Sequence, residues 1–336
     1  LLACVWSHGT FAEADAARAR VTLEAELVAA GLYLAGWREV PIDPEICGAE
    51  ARQTMPAVTQ VYVGVREDLD LAALERLLFQ ARRRTENALA DLADFYVVSL
   101  SAHVFAYKGM VMPEHLPAFF KDLARAELKS SAVVFHQRFS TNTMPRWPLA
   151  QPFRFLAHNG EINSIQGNRN WMRARGPRFR SPLVDFRELQ PVVSMTGSDS
   201  QTLDNMLECL LIGGMDLLQA MRILIPPAWR DREDLDADIK SFYEYYQLHM
   251  EPWDGPAGIV LLDGRYAACT LDRNGLRPAR YLVTRDRHVV IASEAGVFDV
   301  PAHEVVEKGR LGPGEMVAVD LLRGEFLKSR DIDAIN

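Results

Sequence analysis

The sequence predicts an α+β layered domain built on antiparallel sheets, and three observations predict it. From residue 257 onward strand follows strand, with 258–262 and 266–271 joined by Asp263-Gly264, a strong two-residue hairpin signal. Residues 162–250, between the two groups of strands, read as mainly helical, punctuated by Pro226-Pro227. Neither a GxGxxG nor a Walker-type loop occurs, so nothing cradles a nucleotide phosphate at a helix terminus. Hairpin-linked strands with long helices packed outside them argue for a layered sheet domain rather than a doubly wound one.

The elements follow in order. Residues 1–6 read as a strand and Ser7-His8-Gly9-Thr10 as a turn. A helix over 13–30 ends at Gly31, the residue type that closes helices in a left-handed conformation. Strands are expected at 33–40 and 57–65, then a long helix over 69–92 with apolar residues three and four apart. Further strands are expected at 95–100, 104–107 and 131–140, with a short helix over 116–123. Strands at 279–284, 288–293 and 316–321 complete the pattern. No repeat or linker divides the chain, so 1–336 reads as one domain. It opens in mid-strand, which carries the expectation that sequence upstream is missing.

Composition narrows the function. With 336 residues, 49% of them hydrophobic, the chain can bury a large core. A net charge of −8 argues against a nucleic-acid surface. The basic triplet Arg82-Arg83-Arg84 sits in a helical pattern and reads as a solvated helix face. No apolar run approaches ~18 residues, so no membrane-spanning helix is expected, and the first residues lack the features of a signal peptide. Cys4, Cys47, Cys209 and Cys269 are widely spaced. That argues against a metal cluster or a disulfide framework and fits a reduced, cytoplasmic setting.

Three polar clusters could carry chemistry. His136-Gln137-Arg138-Phe139-Ser140-Thr141-Asn142 lies where an apolar strand runs out. A guanidinium there can grip a carboxylate through two hydrogen bonds; an ordinary polar strand end is the plainer reading. His158-Asn159-Gly160-Glu161 contains an Asn-Gly pair, commonly just a turn. It is also a plausible oxyanion hole, since glycine lets backbone approach a reacting carbonyl and the asparagine amide adds a donor. Thr196-Gly197-Ser198-Asp199-Ser200 precedes a helix starting near Leu203. All three of the last residues are good helix caps, and Asp199 could instead accept from a ligand ammonium.

These clusters carry a family resemblance. His136 to Thr141, Pro145-Arg146-Trp147-Pro148-Leu149-Ala150-Gln151-Pro152-Phe153 and His158 to Asn163 resemble blocks of the glutamate synthase large-subunit family. So do Gly197-Ser198-Asp199-Ser200, Glu251-Pro252-Trp253-Asp254-Gly255-Pro256-Ala257 and Asp272-Arg273-Asn274-Gly275-Leu276-Arg277-Pro278-Ala279-Arg280. Ala292-Ser293-Glu294 and Val305-Val306-Glu307-Lys308-Gly309-Arg310 extend the match along essentially the whole chain. The resemblance implies a class II glutamine amidotransferase domain of the amino-terminal-nucleophile hydrolase type, a four-layer αββα sandwich with two antiparallel sheets. It implies that Arg138 binds the glutamine carboxylate, that Thr141 lines the glutamine site, that Asn159 and Gly160 form the oxyanion hole, and that Asp199 holds the α-amino group. An enzyme acting on free glutamine needs a cation, an anion, amide-oxygen donors and a nucleophile; the three clusters supply the first three. The resemblance further implies channelled ammonia, a synthase domain that uses it on 2-oxoglutarate, and an electron-donating partner subunit. FMN and an iron–sulfur cluster would belong to that synthase part, with no cofactor in the amidotransferase domain itself.

One departure accompanies the match. In the family the nucleophile is a cysteine exposed as the first residue, with its own amine as base. This sequence begins with Leu1, which leads to the expectation of a truncated fragment that lacks its nucleophile and is inactive alone. Cys4 sits in an apolar run and reads as core, as do Cys209 and Cys269. The alternatives are a non-catalytic glutamine-binding or regulatory module, or another class II amidotransferase.

Overall fold

The computed structural model describes residues 2–8, 13–65, 69–92, 95–141, 143–233 and 235–335, with side chains from Asp15 onward. Gly9, Thr10 and Asn142, and the side chain of Cys4, lie outside the described residues.

The first hundred residues run β1 (Leu2–His8), α1 (Glu13–Ala29), β2 (Tyr33–Glu39), α2 (Ala49–Gln53), β3 (Pro56–Gly64), α3 (Leu71–Ala88), β4 (Tyr96–Ser101). The strands form one antiparallel sheet in the order β2-β3-β1-β4. That is the split β-α-β arrangement, with β3 placed between β1 and β2. One face is apolar because Val61 and Val63 of β3 alternate out of register with Val58. Leu23 and Leu27 of α1, and Leu74, Leu78 and Ala81 of α3, close over that face at helical spacing. Each buried leucine there contributes ~1.5–3 kcal/mol. Gly31 adopts φ +81° just beyond α1, as the sequence predicts. Asp70 caps α3 by accepting from the Ala73 N–H at 2.7 Å.

A long irregular connection follows, interrupted by α4 (Leu116–Phe119). Phe119, Phe120 and Trp147 from it cover the other face of the first sheet. The second half runs β5 (Leu156–Gly160), α5 (Ile165–Arg175), α6 (Asp199–Ile212), α7 (Leu217–Leu224), α8 (Ala237–Gln247), β6 (Ala257–Leu262), β7 (Tyr266–Leu271), β8 (Arg280–Thr284), β9 (Val289–Ala292), β10 (Val305–Arg310), β11 (Met316–Asp320), β12 (Glu325–Leu327), α9 (Ser329–Asp333). Five strands make an antiparallel sheet, β12-β11-β7-β6-β5, and three make another, β10-β8-β9. Ala257, Ile259 and Leu261 of β6 face α6 and α7 in the main core. Cys269, Leu271 and Val317, on the opposite face, pack with Ala279 and Leu311 beside the three-stranded sheet. Helices, sheet and second sheet thus stack in that order. The α+β class, the antiparallel pairing and the Asp263-Gly264 hairpin stand as the sequence predicts, Gly264 taking φ +92°, but the described strands form three sheets where the resemblance implies two.

Three expectations are corrected. Residues 131–140 form no strand: the segment is irregular and no described strand pairs with it, leaving Val133 and Phe135 72% and 64% exposed. Residues 104–107 are also irregular, and there the Ala106 N–H bonds to the Ser99 hydroxyl instead of a neighbouring strand. The basic triplet is not a solvated face: Arg82 is 1% exposed and paired with Glu86 and Glu208. Its helix turns that side toward α6, and two carboxylates make the burial tolerable.

Candidate active site

The site is built around β5, an edge strand whose outer side is satisfied by side chains. The Asp204 carboxylate of α6 accepts from Phe155 N–H at 2.8 Å and from Leu156 N–H at 3.3 Å. Burial pushes that carboxyl up to about 6, against the pull of Arg154. The Gln151 amide then pairs with both backbone groups of His158, accepting from its N–H at 2.7 Å and donating to its carbonyl at 3.1 Å. On the inner side β6 holds Asn159 opposite Gly258 and Gly160 opposite Ala257. The Asn-Gly pair is therefore the end of a strand fixed on both sides, not a free turn.

Gly160 has φ +148°, and a Cβ on it would lie 1.8 Å from the Pro256 carbonyl oxygen. Gly255 faces the same constraint from the opposing segment, its Cβ position lying 2.0 Å from the Glu161 oxygen. Two glycines are needed because the two backbones cross at touching distance. The Glu161 N–H bond to the Pro256 oxygen, 2.9 Å, closes this crossing.

Asp199 opens α6, but Ser198 is the cap, its hydroxyl accepting from Gln201 N–H at 3.1 Å. That frees the Asp199 carboxylate for other work. Its Oδ2 accepts from the Ile162 N–H at 2.9 Å, and its Oδ1 from the Ser200 N–H at 2.8 Å and the Ser140 hydroxyl at 3.0 Å. A second tie joins the Thr141 hydroxyl to Glu161 Oε1 at 2.9 Å. The three sequence clusters accordingly meet: 138–141 rests on 158–163 and on the start of α6. Asp199 is 2% exposed, so a ligand ammonium must join or replace these donors. The Arg138 side chain is exposed and has no partner among the described residues.

Sequence reasoning missed several groups here. His158 is buried beside Asp199, its Nδ1 2.9 Å from the Ser200 hydroxyl and 4.0 Å from Asp199 Oδ2. Burial pushes its pKa down to about 4, outweighing the opposing pull of Asp199. Arg277, more than a hundred residues downstream, donates to Asn159 Oδ1. Glu161 stands inside a motif, and no local signal marks it as the partner of Thr141. The three cysteines with described side chains are free, buried and in different clusters. Burial raises Cys209 and Cys269 to about 12, so neither is a nucleophile.

The chain belongs to the class II glutamine amidotransferases: the model of that family, Glutamine amidotransferases class-II, matches residues 6–336. More particularly, it matches the amidotransferase region of glutamate synthases. It is 42% identical over 317 residues to the Glutamate synthase (NADPH) large chain of Azospirillum brasilense, covering 93% of this chain and 21% of that one. It is 45% identical over 306 residues to Ferredoxin-dependent glutamate synthase 2 of Synechocystis sp., covering 90% and 20%. The chain spans about a fifth of the length of these curated relatives. A solved glutamine phosphoribosylpyrophosphate amidotransferase from B. subtilis covers 97% of this chain and 48% of its own at 14% identity. Its TM-score of 0.30 is too low to carry an argument.

Proposed function

We propose that this chain binds L-glutamine and serves as the glutamine-hydrolysing domain of a glutamate synthase. The observation that carries the reading is the meeting of 138–141, 158–163 and the start of α6 around Asp199. Arg138 grips the α-carboxylate, and the lack of a side-chain partner for it among the described residues supports that role, because a guanidinium fork bound to a carboxylate of its own would have to be released first. Asp199 accepts the α-ammonium, which joins or displaces one of the donors now on that carboxylate: the Ile162 and Ser200 N–H groups and the Ser140 and Ser200 hydroxyls. Thr141 lines the same pocket. Asn159 and Gly160 face the side-chain amide, where donors aimed at the developing oxyanion lower the barrier.

The ammonia released is used on 2-oxoglutarate by a synthase region of the full-length protein, in a cytoplasmic setting, with electrons supplied by a partner subunit. Among the described residues no helix is long and apolar enough to cross a membrane. The FMN and the iron–sulfur cluster of such a synthase would belong to that synthase region. The described cysteines are scattered, and no described cluster of three His, Cys, Asp or Glu could hold a metal.

The test is calorimetric titration of this chain with L-glutamine, beside Arg138→Ala. Saturable binding that weakens about 10- to 100-fold in the variant is expected, as for loss of a charge-assisted pair. Wild-type protein that takes up no L-glutamine, or a variant that binds equally well, overturns the assignment.

A further inference from the structure

An asparagine amide has two faces of opposite use. Its Nδ2 donates and can stabilise a negative oxygen; its Oδ1 accepts and would repel one. An oxyanion hole that relies on Asn159 therefore needs something to decide which end faces the substrate. Nothing on β5 itself makes that decision.

Arg277 does. Its guanidinium donates through Nη2 to Asn159 Oδ1. A guanidinium carries five N–H donors and no acceptor, so it can hold only the Oδ1 end. The flipped amide would set an N–H₂ group against a cation. No described residue accepts from Asn159 Nδ2, so that end is left for a ligand.

The surroundings of Arg277 are arranged to keep it there. Gly258 is the cross-strand partner of Asn159, and a Cβ on it would lie 3.3 Å from the Arg277 Cβ. The turn that delivers Arg277 is anchored by Asp272, whose carboxylate accepts from Ala257 N–H at 2.9 Å and from Asn274 N–H at 2.9 Å. Gly275, at φ +60°, completes the turn by donating to the Asp272 carbonyl at 2.9 Å. The strand that pairs with Asn159 and the turn that carries Arg277 are thus held by one residue.

We propose that Arg277 is a positioning residue: it fixes the Asn159 amide so that Nδ2 points at the glutamine amide oxygen as that oxygen gains charge. This deepens the proposed function and rests on it. Arg277 touches no substrate. Its contribution appears in turnover rather than in ground-state binding, because the oxyanion exists only in the transition state.

The experiment uses the full-length protein encoded by the gene and follows ammonia release from L-glutamine. Asn159→Ala is expected to lower kcat about 10²- to 10³-fold, the usual effect of removing one oxyanion donor. Arg277→Met is expected to lower kcat about 10-fold or more with KM changed by less than about 3-fold. Arg277→Lys, which still donates to Oδ1 and keeps the charge, is expected to recover most of the loss. Combined with Asn159→Ala, Arg277→Met should add little, since both act on one amide. An unchanged kcat in Arg277→Met, no recovery in Arg277→Lys, or effects that multiply in the double variant would overturn the Arg277 assignment alone. Wild-type protein that releases no ammonia would remove the glutamine-hydrolase reading and this proposal with it.

Discussion

The Arg82 guanidinium of α3 lies 2.5 Å from Glu208 of α6, joining the split β-α-β unit to the second half of the chain. Neither side chain is more than 7% exposed. Arg82 also reaches Glu86 at 2.8 Å, and Arg154 meets Glu86 at 2.9 Å, so the pair belongs to a small buried network. A buried pair of this sort adds little net stability, but removing one partner strands the other in a medium that cannot solvate it. Arg82→Met should therefore lower stability by about 3–5 kcal/mol, and adding Glu208→Met should recover most of it. Urea unfolding at neutral pH measures both. A single variant as stable as wild type would show that Glu208 is not stranded.

The same region and His158 set the acid response. Burial holds the His158 pKa at about 4, below its ordinary 6.5, despite Asp199. Between those values the unfolded chain binds the proton and the folded one does not, so stability rises with pH across that window and falls as pH drops through it. His158→Gln should flatten this part of the profile, shrinking the loss between pH 6.5 and 4 relative to wild type. Glu86 acts at lower pH. Burial would raise its carboxyl, but Arg82, Arg154 and Arg83 bring it down to about 2, so its contribution is lost as pH falls from 4.5 toward 2. Parallel profiles for wild type and His158→Gln above pH 4 would contradict the buried neutral imidazole.

Gly160→Ala tests the backbone crossing. Its Cβ would need space now held by the Pro256 oxygen, in a backbone conformation that side chains avoid. A loss of about 2–4 kcal/mol in thermal or urea unfolding is expected. Gly167→Ala, where a Cβ meets nothing within 4 Å, is the control and should be neutral or stabilising. Equal behaviour of the two variants would mean the crossing gives way easily.

Asp199 ties down the segment that carries Arg138. Asp199→Ala removes the acceptor for Ser140 and for the Ile162 N–H. Tryptic cleavage after Arg138 should then speed up about tenfold or more, because cleavage follows the population of the released segment. Asp199→Asn, which keeps an acceptor, should fall between. Cleavage at the wild-type rate in Asp199→Ala would place the anchor elsewhere.

Much of this was legible in the sequence because it is local. Helix spacing marked α3, Gly31 marked the end of α1, and Asp263-Gly264 marked a hairpin. Charge and hydroxyl clusters marked 138–141, 159–160 and 199. The rest depends on partners distant in sequence. The segment 131–140 has a strand's apolar pattern, but a strand also needs a neighbour to bond. β5 was hidden for the opposite reason, since His158-Asn159-Gly160 reads as a turn until Gln151 and β6 are seen to hold both edges. Arg82 looked solvated because nothing near it in sequence announces Glu208. The assignment of Asn159 was readable; the cation that orients it, arriving from residue 277, was not.

In the first sheet Leu2 lies directly across from Ser101. Strands far apart in the sequence are thus side by side, and β1 is paired on both of its edges. Because β1 is an inner strand, a change that loosens it would expose two ladder edges at once, one on β3 and one on β4.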